Sequence, residues 1–142
     1  MIFKIFWILR GLLYKPFFGK FELPSYIGKA IFIGNFKRIF INKRVRIFPG
    51  ARIEVIGNEA SIIFEENISI GQNLHITSAS QLIIGKNTTI LGKQCIVGAN
   101  AVVRGHFPSY CVIVGVPARI VKRYDEKSGA WKKTDKNGEF VE

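Results

Sequence analysis

Acidic residues are scarce in this chain. Its 142 residues hold 10 Asp and Glu against 21 Lys and Arg, a formal net charge of +11. The deficit is steepest at the front. Residues 1–50 hold one acid, Glu22, beside Lys4, Arg10, Lys15, Lys20, Lys29, Lys37, Arg38, Lys43, Arg44 and Arg46. Such a field attracts polyanions: nucleic acid, anionic lipid or phosphorylated ligands. Charge alone does not separate these from a solvated basic face. Cysteine is scarce too. Cys95 and Cys111 make no disulfide framework, and in aliphatic surroundings each reads as a buried reduced thiol. The two histidines, His75 and His106, lie far apart, and no Cys/His cluster has zinc-ligand spacing, so no metal site is expected. A membrane-spanning apolar run is also missing. Lys4, Arg10 and Lys15 interrupt the stretch from Ile2 to Phe18, which is too short and too charged to cross a bilayer. It has no small-residue cleavage site of a signal peptide, which predicts a chain on the cytoplasmic side. Apolar bulk with interspersed cations suits an interfacial amphipathic segment, or a helix that caps a core, and the two are compatible.

What the chain does have is 48% hydrophobic residues, ample for one core. Aliphatics followed by a small residue recur every six positions, as in Ile84-Gly85, Ile90, then Leu91-Gly92, Val97-Gly98 and Val103. A period of six fits neither a helix near 3.6 nor a plain strand of 2. It fits a parallel β-helix, each hexad forming one flat face of a triangular coil. Earlier hexads start at Ile27, Ile33 and Ile39, then at Ile41, Ile47 and Ile53 after a two-residue shift, and again at Ile70 and Ile76. Such excursions read as insertions at coil corners, where backbone is exposed. Asn35, Asn73, Asn87 and Asn100 are good corner residues. The predicted organisation is a basic, aromatic lead-in over 1–26, a repeat domain over 27–105, and a cap and tail over 106–142. Coils bury their apolar faces only against neighbours, so lead-in and tail are the covers of the two ends.

Ile84-Gly85-Lys86-Asn87, Val97-Gly98-Ala99-Asn100-Ala101-Val102-Val103 and Val114-Gly115-Val116-Pro117-Ala118-Arg119 resemble the motifs of the hexapeptide-repeat acyltransferases. They are most similar to the polysaccharide O-acetyltransferases of lipopolysaccharide, O-antigen or capsule biosynthesis. Asn73-Leu74-His75-Ile76-Thr77 is similar to their mid-helix coil, and Tyr124-Asp125 with Trp131 to the tail of several members. The resemblance covers residues 27–131. It implies an all-β, left-handed parallel β-helix, with the lead-in as an N-terminal amphipathic helix. It implies a homotrimer with acetyl-CoA between adjacent subunits, and a sugar or lipid-linked glycan acceptor. A histidine would act as general base on the sugar hydroxyl, a poor nucleophile until its proton is taken during attack.

The chain departs from that pattern. No histidine occurs between residues 76 and 105, where the family places its base, and the spacing from Ile84 to Leu91 is seven instead of six. An internal segment lost near Thr89-Ile90-Leu91-Gly92 would explain both. Ile90 and Leu91 cannot both point inward in a flat strand, so a bulge or kinked corner is expected there. His75 is then a candidate substitute base or sugar contact, against a plain solvent-facing side chain. His106 reads as an exit-loop residue. Ser78 and Ser80 lie where relatives turn polar groups to the acceptor, though corner serines are common. The resemblance sets the backbone around Ala99 against the pantetheine arm, and Arg104, Arg119 and Lys122 against the CoA phosphates. Guanidinium forks suit phosphate, while a basic exit strand capping the coils would look the same. Gly115 and Pro117 shape a turn. The leading expectation is an O-acetyltransferase of surface polysaccharide synthesis, held near the membrane face. The alternative is an inactive, internally deleted β-helix that trimerises or binds CoA without transfer. A nucleic-acid binder explains the charge but not the hexads, and no RNP-like signature supports it.

Overall fold

The computed structural model describes residues 2–90, 95–98 and 101–141. One helix, α1 (Ile2–Tyr14), leads into a parallel β-solenoid. The first coil is β1 (Lys20–Phe21), β2 (Tyr26–Ile27) and β3 (Phe32–Gly34). The second is β4 (Ile39–Ile41), β5 (Val45–Ile47) and β6 (Arg52–Val55). The third is β7 (Ser61–Phe64), β8 (Ile68–Ile70) and β9 (His75–Ser78). The fourth is β10 (Gln81–Ile84), β11 (Thr89–Ile90) and β12 (Ile96–Val97). The fifth is β13 (Val102–Val103), β14 (His106–Phe107) and β15 (Cys111–Val114). Two more strands, β16 (Arg119–Asp125) and β17 (Ala130–Lys133), continue antiparallel from β15. Strands stack coil on coil into three faces. Face A runs β1-β4-β7-β10-β13, face B runs β2-β5-β8-β11-β14, and face C runs β3-β6-β9-β12-β15 and then the hairpin. Five stacked coils result.

The hexad pattern produces this geometry. Phe21, Ile27 and Ile33 step by six round the first coil; Ile41, Ile47 and Ile53 do so round the second, and Phe64, Ile70 and Ile76 round the third. Each occupies the same inward position on faces A, B and C, and all but the half-buried Ile33 are buried. Burying one such side chain stabilises the fold by about 1.5–3 kcal/mol relative to exposure. Residues beyond the three hexads collect at the corner from face C to face A. That corner holds a 3-10 turn, Phe36–Arg38, in one coil, residues 56–60 in the next and 79–80 in the third. The two-residue shift between Ile39 and Ile41 is therefore not itself a corner insertion. Both are inward residues of β4, two apart on one strand face. Positive φ at Asn35, Asn73 and Asn87 fits their reading as corner residues, and Arg44 and Asn67 join them. Asn100 lies outside the described residues.

The seven-residue step also has a place. Ile84 on face A is followed by Ile90 on face B, then by Val97 on face C, and all three are buried. The extra residue falls between β11 and β12, a stretch of which residues 91–94 lie outside the described residues. Leu91, expected at a core position there, lies outside the described residues. The final coil is tight: Ile90 pairs with Phe107 and Val97 with Ile113, steps of 17 and 16, where Ile70 to Ile90 is 20 and Ile76 to Val97 is 21.

Coil strands reach beyond 27–105 at both ends. Phe21 and Phe107 fill inward positions with rings, which hides these strands from an aliphatic-plus-glycine pattern. The exit loop expected at His106 is a rung of face B, and the tail after Tyr124 is paired as β17. Helix α1 stops before Pro16, which has no N–H to continue it. Gly11 is its buried residue, against Phe21, and Trp7 packs on Tyr26 and Phe48.

Candidate functional site

Strand alternation sorts the third coil's side chains. On β9, Ile76 and Ser78 point inward, while His75 is exposed and Thr77 half-buried. Asn73, in the left-handed region at φ 59°, turns the chain into that strand. His75 sits in register between Arg52 on β6 and Ile96 on β12. The imidazole lines a cleft of about 300 Å³ with Asn73, Ile96 and Trp131. Trp131 comes from the hairpin. Its ring stands 5.7 Å from that of Tyr124, which is 6.0 Å from that of Tyr110. The cleft so joins an amide and an imidazole to an apolar wall, chemistry suited to a polyol with one apolar side.

A second cleft, of about 190 Å³, holds His106, Arg119, Lys136 and Asn137. It lies where β14 meets the start of β16. Lys136 is placed there by a tight turn: Asp135 accepts from the backbone N–H groups of Asn137 (2.8 Å) and Glu139 (2.9 Å). Those bonds hold the Asp135 carboxyl below its ordinary pKa. Arg119 is exposed, and its guanidinium with the Lys136 ammonium makes the cleft suited to phosphate. The adjoining hairpin is also cationic, with Lys122 opposite Lys133 and Arg123 opposite Lys132. Lys132 is already paired with Asp125, which leaves Lys122 and Lys133 as the like charges that repel across the strands.

Arg104 does not line that cleft. It lies at the corner after β13, across Gly85, with its guanidinium 3.8 Å from Glu65. Ser78 is fully buried. Its hydroxyl donates to the Ser80 carbonyl at 2.7 Å and so closes the corner from inside. Ser80 sits half-buried on that corner. Ala99 lies outside the described residues. Cys95 and Cys111 are buried and not joined in a disulfide; their sulfurs stand 3.6 Å apart, and both thiols donate to the Pro108 carbonyl. The hydrogen bond between them, with burial, pushes the Cys111 thiol far up. Among the described residues, no group of three or more His, Cys, Asp or Glu could hold a metal ion, and no helix is long and apolar enough to cross a membrane.

The structure thus brings His75 together with Trp131, and Arg119 with His106 and Lys136. Trp131 and Lys136 were absent from the sequence-derived site. Lys136 sits in an Asp-Lys-Asn-Gly turn that reads as surface loop, and only the return of the tail along β16 sets it beside Arg119.

Curated relatives, the following three among them, match parts of the chain. "Putative lipopolysaccharide biosynthesis O-acetyl transferase WbbJ" of Escherichia coli K12 is 34% identical over 74 residues, 52% of this chain and 33% of that protein. "Probable acetyltransferase Rv3034c" of Mycobacterium tuberculosis is 37% identical over 60 residues, 42% of this chain and 19% of that protein. A serine acetyltransferase of Staphylococcus xylosus is 32% identical over 102 residues, 72% of this chain and 44% of that protein. The chain thus spans less than half the length of each. No family model and no solved structure matches it.

Proposed function

The chain belongs to the hexapeptide-repeat acetyltransferase family, and from that premise we propose that it moves acetyl from acetyl-CoA to a sugar hydroxyl of a cell-surface polysaccharide precursor. The observation that carries this is the likeness to the lipopolysaccharide relative, on a solenoid with a polar, aromatic-walled cleft. His75 takes the hydroxyl proton as the sugar oxygen attacks the thioester carbonyl; the C–S bond then breaks and the imidazolium gives the proton to the departing CoA sulfur. Trp131 and Ile96 support the apolar side of the sugar ring. Arg119, with Lys122 and Lys136, holds the CoA phosphates, and Arg104 adds to that field from its corner. The backbone at Ala99 lies along the pantetheine arm, and Ser78 and Ser80 shape the acceptor corner. The working form is a homotrimer, with donor bound between subunits. It acts on a lipid-linked glycan from the cytoplasmic side, peripheral to the membrane.

The test is transfer of labelled acetyl from acetyl-CoA to cell-envelope glycan acceptors. Wild type is expected to transfer. His75→Ala should lower the rate by roughly 10²–10⁴-fold, the usual range for losing a general base. Transfer unchanged in His75→Ala but lost in His106→Ala would move the base to the second cleft.

A second reading has its own support. No histidine stands between residues 76 and 105, and the last coil advances by only 16 and 17 residues. On that reading the chain is an internally shortened relative that trimerises or binds CoA without transfer. Saturable CoA binding with no label in any acceptor would favour it.

A further inference from the structure

Helix α1 is amphipathic the wrong way round for a water-facing helix. At 100° per residue, Trp7, Gly11 and Tyr14 fall on one side. They meet the solenoid: Gly11 against Phe21, Trp7 against Tyr26 and Phe48, Tyr14 against Phe36. The opposite side is Ile2, Ile5, Phe6, Leu9, Leu12 and Leu13, between 43% and 72% exposed. No polar residue interrupts it. Lys4 and Arg10 fall on the flanks between the two sides. A surface helix in water turns its charges outward, and this one turns them sideways.

The surroundings say what covers that face. A second copy would set Lys4, Arg10 and Lys15 against their own likenesses, which repels. An anionic surface is complementary to them, and to the ten cations against one acid in residues 1–50. Beside the helix lies a cleft of about 370 Å³, walled by Ile8, Leu23, Pro24 and Tyr26 and carrying Arg44 and Arg46. Arg46 is held in place, donating to Ser69 at 2.8 Å and Asn67 at 3.3 Å. Arg44 is largely exposed, with a loose 3.9 Å pair to Glu66. Nη1 of Arg10 is buried and has no hydrogen-bond partner, an unusual state for a guanidinium. Apolar walls with guanidinium groups suit a phosphate joined to acyl chains. At 13 residues, the helix spans about 20 Å, short of the roughly 30 Å hydrocarbon core, so it lies along a bilayer surface.

We propose that α1 and this cleft dock the protein on an anionic phospholipid surface. The outward face sits at the acyl boundary, and Arg44 and Arg46 meet lipid phosphates. This deepens the membrane-side placement proposed above but uses none of the transfer chemistry, so each fails separately.

The test is flotation of the full chain with vesicles of phosphatidylcholine, alone or mixed with phosphatidylglycerol, without acetyl-CoA or glycan. The full chain should float with the mixed vesicles and poorly with the neutral ones. Ile5→Glu with Leu9→Glu, at exposed positions that leave the core intact, should weaken binding by about a hundredfold. Arg44→Gln and Arg46→Gln should each weaken it about fivefold, erasing part of the anionic preference. A melting curve for each variant checks that the solenoid is retained, and soluble glycerol phosphate should not displace the protein. The proposal is overturned if the double glutamate variant floats like wild type, or if glycerol phosphate displaces the protein and marks a free-phosphate site. It is equally overturned if wild type ignores both vesicles, as it would in an assembly that the glutamates dissociate in the ultracentrifuge.

Discussion

Gly28 follows the inward Ile27, and a Cβ there would stand 2.6 Å from the backbone nitrogen of Pro49. Backbone cannot swing aside as a side chain can, so Gly28→Ala should lower stability by about 1–3 kcal/mol, read from a urea melt. Gly85→Ala is the contrast. Its Cβ would overlap Cγ and Cδ of Arg104, a side chain that can relieve the clash only by changing rotamer and leaving Glu65, so the melt should fall, but by less than in Gly28→Ala. Phe64 is fully buried, between Ile41 and Ile84 in the face A column. Phe64→Ala removes a ring with nothing to refill its space, and about 3–5 kcal/mol should be lost in the same melt. Asp125 reports on pH. Hydrogen bonds from Lys132 and then Ser128 hold its carboxyl down at about 2, from an ordinary 3.8. A depressed carboxylate stabilises the fold above its unfolded pKa. Its contribution is therefore complete above about pH 4 and fades as pH falls toward 2. An NMR titration of the Asp125 carboxyl should give that low midpoint, and Lys132→Ala should raise it.

At the scale of elements, strands with aliphatic hexads were legible and their edges were not. Ile47, Ile53, Ile70, Ile76, Ile84 and Val103 are buried where the six-residue period set them. Strands β1 and β14 escaped because Phe21 and Phe107 fill inward positions with rings. The period also could not say which corner takes the extra residues. That depends on which face a residue joins, and Ile39 with Ile41 shows the ambiguity: two apart, they share one strand instead of spanning a corner. The clefts were legible only in part. His75 and Arg119 were visible as residue types beside motifs. Trp131 and Lys136 reach them through the antiparallel return of β16 and β17, a long-range pairing without a local signal. The hairpin itself is testable: Trp131→Ala should leave solenoid melting nearly unchanged while weakening acceptor use, seen as a raised KM for glycan.

The whole molecule is a stack in which each coil covers the next, so the ends decide what more it must meet. At one end α1 turns an apolar face outward. At the other, the hairpin brings cations over the last coil. Donor at the cationic end and acceptor at the cleft of His75 is the arrangement that makes acetyl transfer the proposed reading. The most direct measurement is calorimetric titration of acetyl-CoA into the full chain and into Arg119→Ala. Saturable binding is expected in wild type, weakened about tenfold or more by losing one charge-assisted contact. No saturable heat from wild type, or equal affinity in both, would contradict the account.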